Sequence, residues 1–379
     1  MYKKLISILL TAVMFYGIYG ENTAYADNFD LKSKSAILID ANTGQILYEK
    51  EINKILPPAS VTKVMTMLLA IEAIDSGRIN INDKVPTSQH AFEMGGTQIY
   101  LEVGEEMSVD DLMKAIAMNS ANDASVAIAE FISGTEEDFV NLMNKRAKEL
   151  GAKNTVFKNA SGLPEEGHVT TVYDTALIAS ELVKHQSIFK YLTDKIDTLR
   201  DGKFSLANTN KLLWRYKGAD GIKTGSTSEA LFCLAATAKR GDTRLIAVVF
   251  GAPDSDTRFK EASKLLDYGF ANYETIKIAS KDEVFGNILV TKGQSDYIKA
   301  IANQDEFILL KKDKEKNIKK EINLYKSISA PVKKGTKVGS VKIFDGTKLI
   351  KTFDLYAKDN IEKSSVFQSY KKVLLLWLK

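Results

Sequence analysis

The sequence predicts an α+β fold: an antiparallel sheet with helices packed on it, followed by a small all-β domain and a C-terminal amphipathic helix. Three observations predict this. Helical periods fill the middle of the first 275 residues and strand-like runs stand at both ends, so a sheet of terminal strands would carry the helices on its faces. After about Tyr273 the pattern changes to short alternating runs punctuated by Lys-Lys, Gly and Asp turns, which is an all-β signature. The last segment returns to a helical period with a single apolar stripe.

The N-terminus reads as a secretory signal. Met1-Tyr2-Lys3-Lys4 is basic, Leu5 to about Gly20 is apolar, and Ala24-Tyr25-Ala26 offers small residues at cleavage spacing. An uncleaved anchor or a buried helix is the alternative. Cleavage after Ala26 leaves an exported chain whose only cysteine is Cys233, so stability must come from a core and not from disulfides. At 379 residues, 45% hydrophobic and 26% charged, the chain is long enough for such a core and has neither disordered nor collagen-like composition. His90, His168 and His185 share no metal-ligand spacing, so neither a metal site nor a cofactor is expected.

Ser35 to Lys50 reads as two strands around a turn at Asn42-Thr43-Gly44. Pro57-Pro58-Ala59-Ser60 opens a helix through Val64, Met65, Leu68, Leu69 and Ile71 to Ile74. Ser108-Val109-Asp110-Asp111 caps a helix from Leu112 to Met118; Asn119 to Asn122 interrupts it, and Ala124 to Ile132 resumes it. Gly221 to Gly225 leads into a hairpin, Leu231–Lys239 and Leu245–Phe250, turned at Arg240-Gly241-Asp242. Glu261 to Phe270 is helical. Strand-like runs follow at Ile276–Ala279, Ile288–Thr291, Phe307–Leu310, Ile322–Tyr325, Lys337–Phe344 and Leu349–Leu355. The expected division is a signal at 1–26, a main α+β domain at 27–275, a β-rich domain at 276–358 and an amphipathic segment at 359–379.

The net charge of +4 hides an asymmetry. From Ile276 onward there are 22 Lys, no Arg and 12 acidic residues, a net +10, which leaves −6 for the remainder. A basic C-terminal part suits an anionic surface, nucleic acid or lipid, or else is a set of solubilising lysines. The tail points to lipid and away from nucleic acid. Val366, Phe367, Tyr370, Val373, Leu374 and Trp377 fall on one helical stripe among Lys363, Lys371, Lys372 and Lys379, as in a helix lying in a membrane interface. The expected location is therefore the outer face of the cytoplasmic membrane, with the protein held peripherally by this helix. Packing of the helix on the protein's own core is the alternative.

Three short segments carry chemistry. In Ser60-Val61-Thr62-Lys63 at a helix start, positions i and i+3 share a face, so hydroxyl and amine can meet. The hydroxyl is a nucleophile only if a base takes its proton, and the amine is a base only if burial or a helix dipole lowers its pKa. The helix N-terminus adds backbone N–H groups for an oxyanion. Alone, the pattern is also met by an ordinary cap and a solvent lysine. Ser120-Ala121-Asn122 in a helix break and Lys223-Thr224-Gly225 opening a strand complete, in order, the signature S-x-x-K, S-x-N, K-T-G of penicilloyl-serine enzymes.

With P-P-A-S-V-T-K-V-M-T (57–66), N-S-A-N-D-A-S (119–125), A-S-G-L-P (160–164), N-T-N-K-L-L (208–213) and D-G-I-K-T-G-S-T (220–227), the chain resembles the low-molecular-mass penicillin-binding proteins of the D-alanyl-D-alanine carboxypeptidase type over nearly its whole length. The resemblance implies a penicillin-binding/β-lactamase-like transpeptidase domain. It implies removal of the terminal D-alanine from peptidoglycan stem pentapeptides through an acyl-enzyme, β-lactam sensitivity, and a place in cell-wall synthesis and remodelling. By position, Ser60 would be the nucleophile and Lys63 its neutral base. Ser120 would relay a proton to the leaving amine, and Asn122 would hold Lys63 and a substrate amide. Lys223 and Thr224 would face the substrate carboxylate, Gly225 would leave the strand edge open to the peptide, and the N–H groups of Ser60 and Ser226 would form the oxyanion hole. Arg258 would support carboxylate binding or be a surface ion pair. Ser226 departs from the His of many relatives, and His168 reads as structural, with nothing placing it near Ser60. A serine β-lactamase of the same fold and a non-catalytic wall-binding scaffold are the competing readings; between the second and third motifs no E-x-x-x-N segment stands in the surroundings expected of a lactamase's water-holding loop.

Overall fold

A computed structural model describes residues 29–312, 317–367 and 370. The expected signal at 1–26 and half of the expected terminal stripe, Val373, Leu374 and Trp377, lie outside the described residues. The chain begins with the hairpin β1 (Ser35–Asp40) and β2 (Ile46–Lys50), a 3₁₀ turn at Ala59–Thr62, and α1 (Lys63–Asp75). A small hairpin follows, β3 (Lys84–Pro86) and β4 (Glu106–Ser108), then α2 (Val109–Lys114), which runs into one π-helical turn at Ala115–Asn119. Helices α3 (Asn122–Ser133), α4 (Glu136–Glu149) and α5 (Val172–Leu182), and a second hairpin β5 (Ile196–Leu199) and β6 (Phe204–Ala207), precede the remaining sheet strands. These are β7 (Ala219–Thr227), β8 (Leu231–Arg240) and β9 (Thr243–Ala252), followed by α6 (Ser255–Asn272).

The sheet order is β2-β1-β9-β8-β7, and every neighbouring pair is antiparallel. Its two faces are covered by different partners. Ile37, Ile39, Ile246, Val248 and Phe250 join a core with α1 to α5. The alternate residues Ala36, Leu38, Leu245, Ala247 and Val249 pack against Phe259, Leu265, Leu266 and Phe270 of α6. Burial on both faces is why these strands read as continuous apolar runs and not as alternation. Helix α1 is buried from Lys63 to Ile71, so it forms the centre of the helical layer and has no polar face in its first two turns.

Helix α6 ends at Asn272 and β10 (Tyr273–Ala279) starts at the next residue, three positions ahead of the expected boundary. Thr275 is still tied to the first domain, its hydroxyl donating to Asp40 Oδ2 at 2.6 Å and its N–H to Thr243 Oγ1 at 2.8 Å. The remaining strands are β11 (Val284–Thr291), β12 (Tyr297–Ile301), β13 (Glu306–Lys311), β14 (Ile318–Leu324), β15 (Ser327–Ser329), β16 (Lys337–Asp345) and β17 (Lys348–Ala357). They make a six-stranded sheet, β14-β16-β17-β12-β11-β15, and the pair β10-β13 around a separate core. Two lysines of this domain have an architectural use: edge strand β14 exposes Lys319 and Lys320 beside Glu321, charges that discourage pairing with another chain.

Candidate active site

Pro57 and Pro58 lead into the 3₁₀ turn, which passes without interruption into α1 and puts Ser60 one turn ahead of Lys63. The Lys63 side chain is fully buried. Its Nζ lies 3.3 Å from Ser60 Oγ, 2.7 Å from Asn122 Oδ1 and 2.5 Å from the Ser161 carbonyl. Burial and the nearby Lys223 hold its pKa well below the usual lysine value, with Asp123 opposing them. A neutral amine has two N–H donors and one lone pair. Asn122 Oδ1 and Ser161 O accept the two hydrogens, which leaves the lone pair for the Ser60 hydroxyl.

The second segment lies across the cleft. The π-helical turn ends at Ser120, which adopts a left-handed conformation (φ 66°). Such interruptions re-aim side chains. Here the break lets α3 restart at Asn122 with its amide against Lys63. Asn122 Nδ2 donates to Gly95 O at 2.7 Å, so both ends of the amide are engaged by the protein. The Ser120 hydroxyl has no hydrogen-bond partner among the described residues.

The third segment is an edge strand of the sheet, β7. Lys223 is 1% exposed; burial and then Arg258 lower its pKa to about 7. Thr224 Oγ1 donates to Thr209 Oγ1 at 2.8 Å, and Ser226 is exposed. For Gly225 the structure supplies a reason other than the expected open edge. A Cβ there would sit 2.9 Å from the backbone nitrogens of Ser60 and Val61, so glycine is what lets β7 lie against the 3₁₀ turn that carries Ser60. Arg258 differs as well. It donates to the carbonyls of Gly225 (3.0 Å) and Cys233 (3.3 Å) and to Ser255 Oγ (3.3 Å), bracing β7 and β8 from α6, and it makes no ion pair among the described residues.

The structure thus brings Ser60, Lys63, Asn122 and Gly225 together and sets Lys223, Thr224 and Ser226 along the adjoining strand. Sequence reasoning gave no role to Ser161, whose carbonyl holds Lys63, to Thr209, or to Gly162, where a Cβ would lie 2.0 Å from Ala59 O. All three stand in A-S-G-L-P or N-T-N-K-L-L, which were legible as motifs but not as contacts. His168 is nearer the site than expected, 2.9 Å from Thr62 Oγ1 through its Nε2. A cavity of about 460 Å³ adjoins the turn, lined by Pro58, Ala59, Leu163, Glu165, His168 and Thr227 among others. Away from the cleft, Glu72, Glu181 and His185 form a ligand-like group, but Arg146 NH2 is 2.7 Å from Glu72 and 3.2 Å from Glu181 and already supplies the positive charge.

A family model described as D-alanyl-D-alanine carboxypeptidase matches residues 21–254. The chain belongs to this family. A second model, the C-terminal domain of penicillin-binding protein 5, matches residues 273–363. The carboxypeptidase is 45% identical to the D-alanyl-D-alanine carboxypeptidase DacF of Bacillus subtilis (strain 168), over 100% of this chain and 99% of that one. Its fold matches penicillin binding protein 5 from Haemophilus influenzae with a TM-score of 0.75 at 32% identity, covering 88% of this chain and 99% of that one. Penicillin-binding protein D2 from Listeria monocytogenes in its ampicillin-bound form matches with a TM-score of 0.59 at 34% identity, over 64% of this chain and 99% of that one. The carboxypeptidase is a serine hydrolase of the cell wall with the penicillin-binding fold and a C-terminal all-β domain, acting on D-Ala-D-Ala ends and binding β-lactams.

Proposed function

We propose that the carboxypeptidase works through an acyl-enzyme on Ser60, with the remaining groups in the following roles. The substrate lies along the outer edge of β7 as an added strand, its terminal carboxylate against Lys223, protonated when that anion is present, and Thr224. Lys63 takes the Ser60 proton as Oγ attacks the penultimate carbonyl. The N–H groups of Ser60 and Ser226 hold the oxyanion, each such donor being worth about 3 kcal/mol in comparable enzymes. The C–N bond then breaks, D-alanine leaves with a proton relayed from Lys63 through the Ser120 hydroxyl, and water hydrolyses the ester with Lys63 again as base. The observation that carries this reading is the disposition of the Lys63 amine, both hydrogens engaged and its lone pair left for Ser60. The test is labelled penicillin followed by mass spectrometry. A long-lived adduct on the peptide containing Ser60 is the expected result. Rapid turnover would mark a lactamase instead, and no adduct a scaffold.

The protein is exported, on this reading, and rests on the outer face of the cytoplasmic membrane through its C-terminal helix. Support comes from the signal-like N-terminus and from Val366, Phe367 and Tyr370, which are 90%, 78% and 64% exposed, as suits a stripe meant for lipid. No helix among the described residues is long and apolar enough to cross a membrane. Deleting 360–379 is expected to release the mature protein from anionic vesicles in a sedimentation assay. Unchanged partitioning would overturn the anchor.

A further inference from the structure

The loop between α4 and α5 reaches the turn that carries Ser60 twice. At one end Ser161 O accepts from Lys63 Nζ; at the other His168, 4% exposed, meets Thr62, which lies between Ser60 and Lys63 in the chain. The hydrogens assign themselves. Thr62 Oγ1 stands 2.8 Å from Ala59 O, a carbonyl that can only accept, so the single hydroxyl hydrogen goes there. The 2.9 Å contact from His168 Nε2 must then be a donation into Thr62 Oγ1. The other ring nitrogen, Nδ1, accepts from the Lys158 N–H at 3.4 Å, and the Phe157 ring packs against the imidazole at 5.9 Å and 81°. This is a neutral imidazole with a defined tautomer, and its surroundings keep it so: burial first, then Lys158 and Lys63, lower its pKa to about 4.

The chain His168 Nε2–H to Thr62 Oγ1–H to Ala59 O ends on a strained residue. Ala59 has φ 49°, a conformation that side-chain-bearing residues rarely adopt and that tends to persist where surrounding contacts impose it. It immediately precedes Ser60, so its conformation sets where the Ser60 N–H and hydroxyl point. We propose that His168 is a positioning residue for the nucleophile: it orients the Thr62 hydroxyl so that Ala59 stays left-handed and Ser60 stays aligned with Lys63. One loop would then hold both partners of the proton transfer, the base through the Ser161 carbonyl and the nucleophile through His168. The inference rests on Ser60 being the acylated group.

The test uses the full mature chain and a fluorescent penicillin, resolving the first-order acylation step from the preceding reversible binding, with thermal unfolding recorded alongside. Wild-type labelling on Ser60 is the control; its absence would sink the acyl-enzyme reading itself, separately from this one. His168→Ala is expected to slow acylation about tenfold with reversible binding changed less than about twofold. His168→Gln can place an amide N–H near the position of Nε2 and is expected to recover to within about threefold of wild type. Thr62→Val, which cuts the same connection from its other end, is expected to match His168→Ala. The double variant should be no slower than the slower single variant, because the two residues act in series. Wild-type acylation by a folded His168→Ala, even with a lowered melting temperature, would overturn the proposal, as would failure of His168→Gln to recover or losses that multiply in the double variant. If His168→Ala does not fold, Thr62→Val decides by the same readouts: a tenfold loss supports the proposal and normal acylation overturns it.

Discussion

Ser60→Ala is expected to lose all covalent labelling by penicillin and to release D-alanine at least about 10⁴-fold more slowly than the wild type, because the Ser60 hydroxyl is the one hydroxyl hydrogen-bonded to the buried amine among the described residues. The fold should survive. The hydrogen-bonding contact of the Ser60 hydroxyl among the described residues is Lys63 Nζ at 3.3 Å, and the amine keeps Asn122 and Ser161 when that hydroxyl is gone. A change in unfolding free energy within about 1 kcal/mol is therefore expected. D-Alanine release from a synthetic pentapeptide, followed by liquid chromatography, is the measurement. Retained release by this variant would overturn the assignment of the nucleophile.

Gly162→Ala is expected to damage stability and activity together. An added Cβ would lie 2.0 Å from Ala59 O, 2.5 Å from Ala59 C and 2.9 Å from Thr62 Oγ1, and the backbone at 162 has φ 82°. No flexible side chain can give way at the first two atoms, so either the loop or the nucleophile turn must move. Left-handed strain with a backbone collision of this depth is expected to cost about 3 kcal/mol or more. The folded fraction should also acylate slowly, because displacement of Ala59 carries Ser60 with it. Gly77→Ala is the control: it shares a positive φ of 73° but meets nothing within 4 Å, and should cost only about 1 kcal/mol with normal labelling. Chemical denaturation combined with penicillin labelling separates the two effects. Equal behaviour of the two variants would show that the close approach at Gly162 is not rigid.

How much of this was legible beforehand depended on the range of the interaction. The hairpin around Gly44, the helix after Pro58 and the helix break at Ser120 follow from local turn and capping chemistry, and they stand where the sequence puts them. The change from α+β to all-β was visible as a change of period, although Thr275 hydrogen-bonds back to Asp40 and blurs the exact boundary. Helix α4 was missed because its segment is mostly polar and buries only Phe139, Met143 and Ala147. Strand β12 was passed over because it is only five residues long. In the site, Ser60 and Lys63 are a helical turn apart and could be paired from spacing alone. Ser161, Gly162, Thr209 and His168 act through backbone groups, a close approach or a hydroxyl in contact with a distant segment. No periodicity encodes such contacts, which is why the close approach at Gly225, the carbonyls that Arg258 braces and the place of His168 beside Thr62 were not read from the sequence.

The first strand of the sheet pairs on one side with β2, its neighbour in sequence, and on the other with β9, where Ile37 meets Val248. A polypeptide emerging N-terminus first therefore has no seat for β1 between two neighbours until some two hundred further residues have followed. Lys223 and the strand that carries it belong to that late-arriving stretch. Loop closure on this scale is slow relative to local helix formation. The half-made chain consequently carries its serine and its lysine amine in an unfinished cleft, and hydrolytic competence switches on in one late step, after the whole first domain has been delivered.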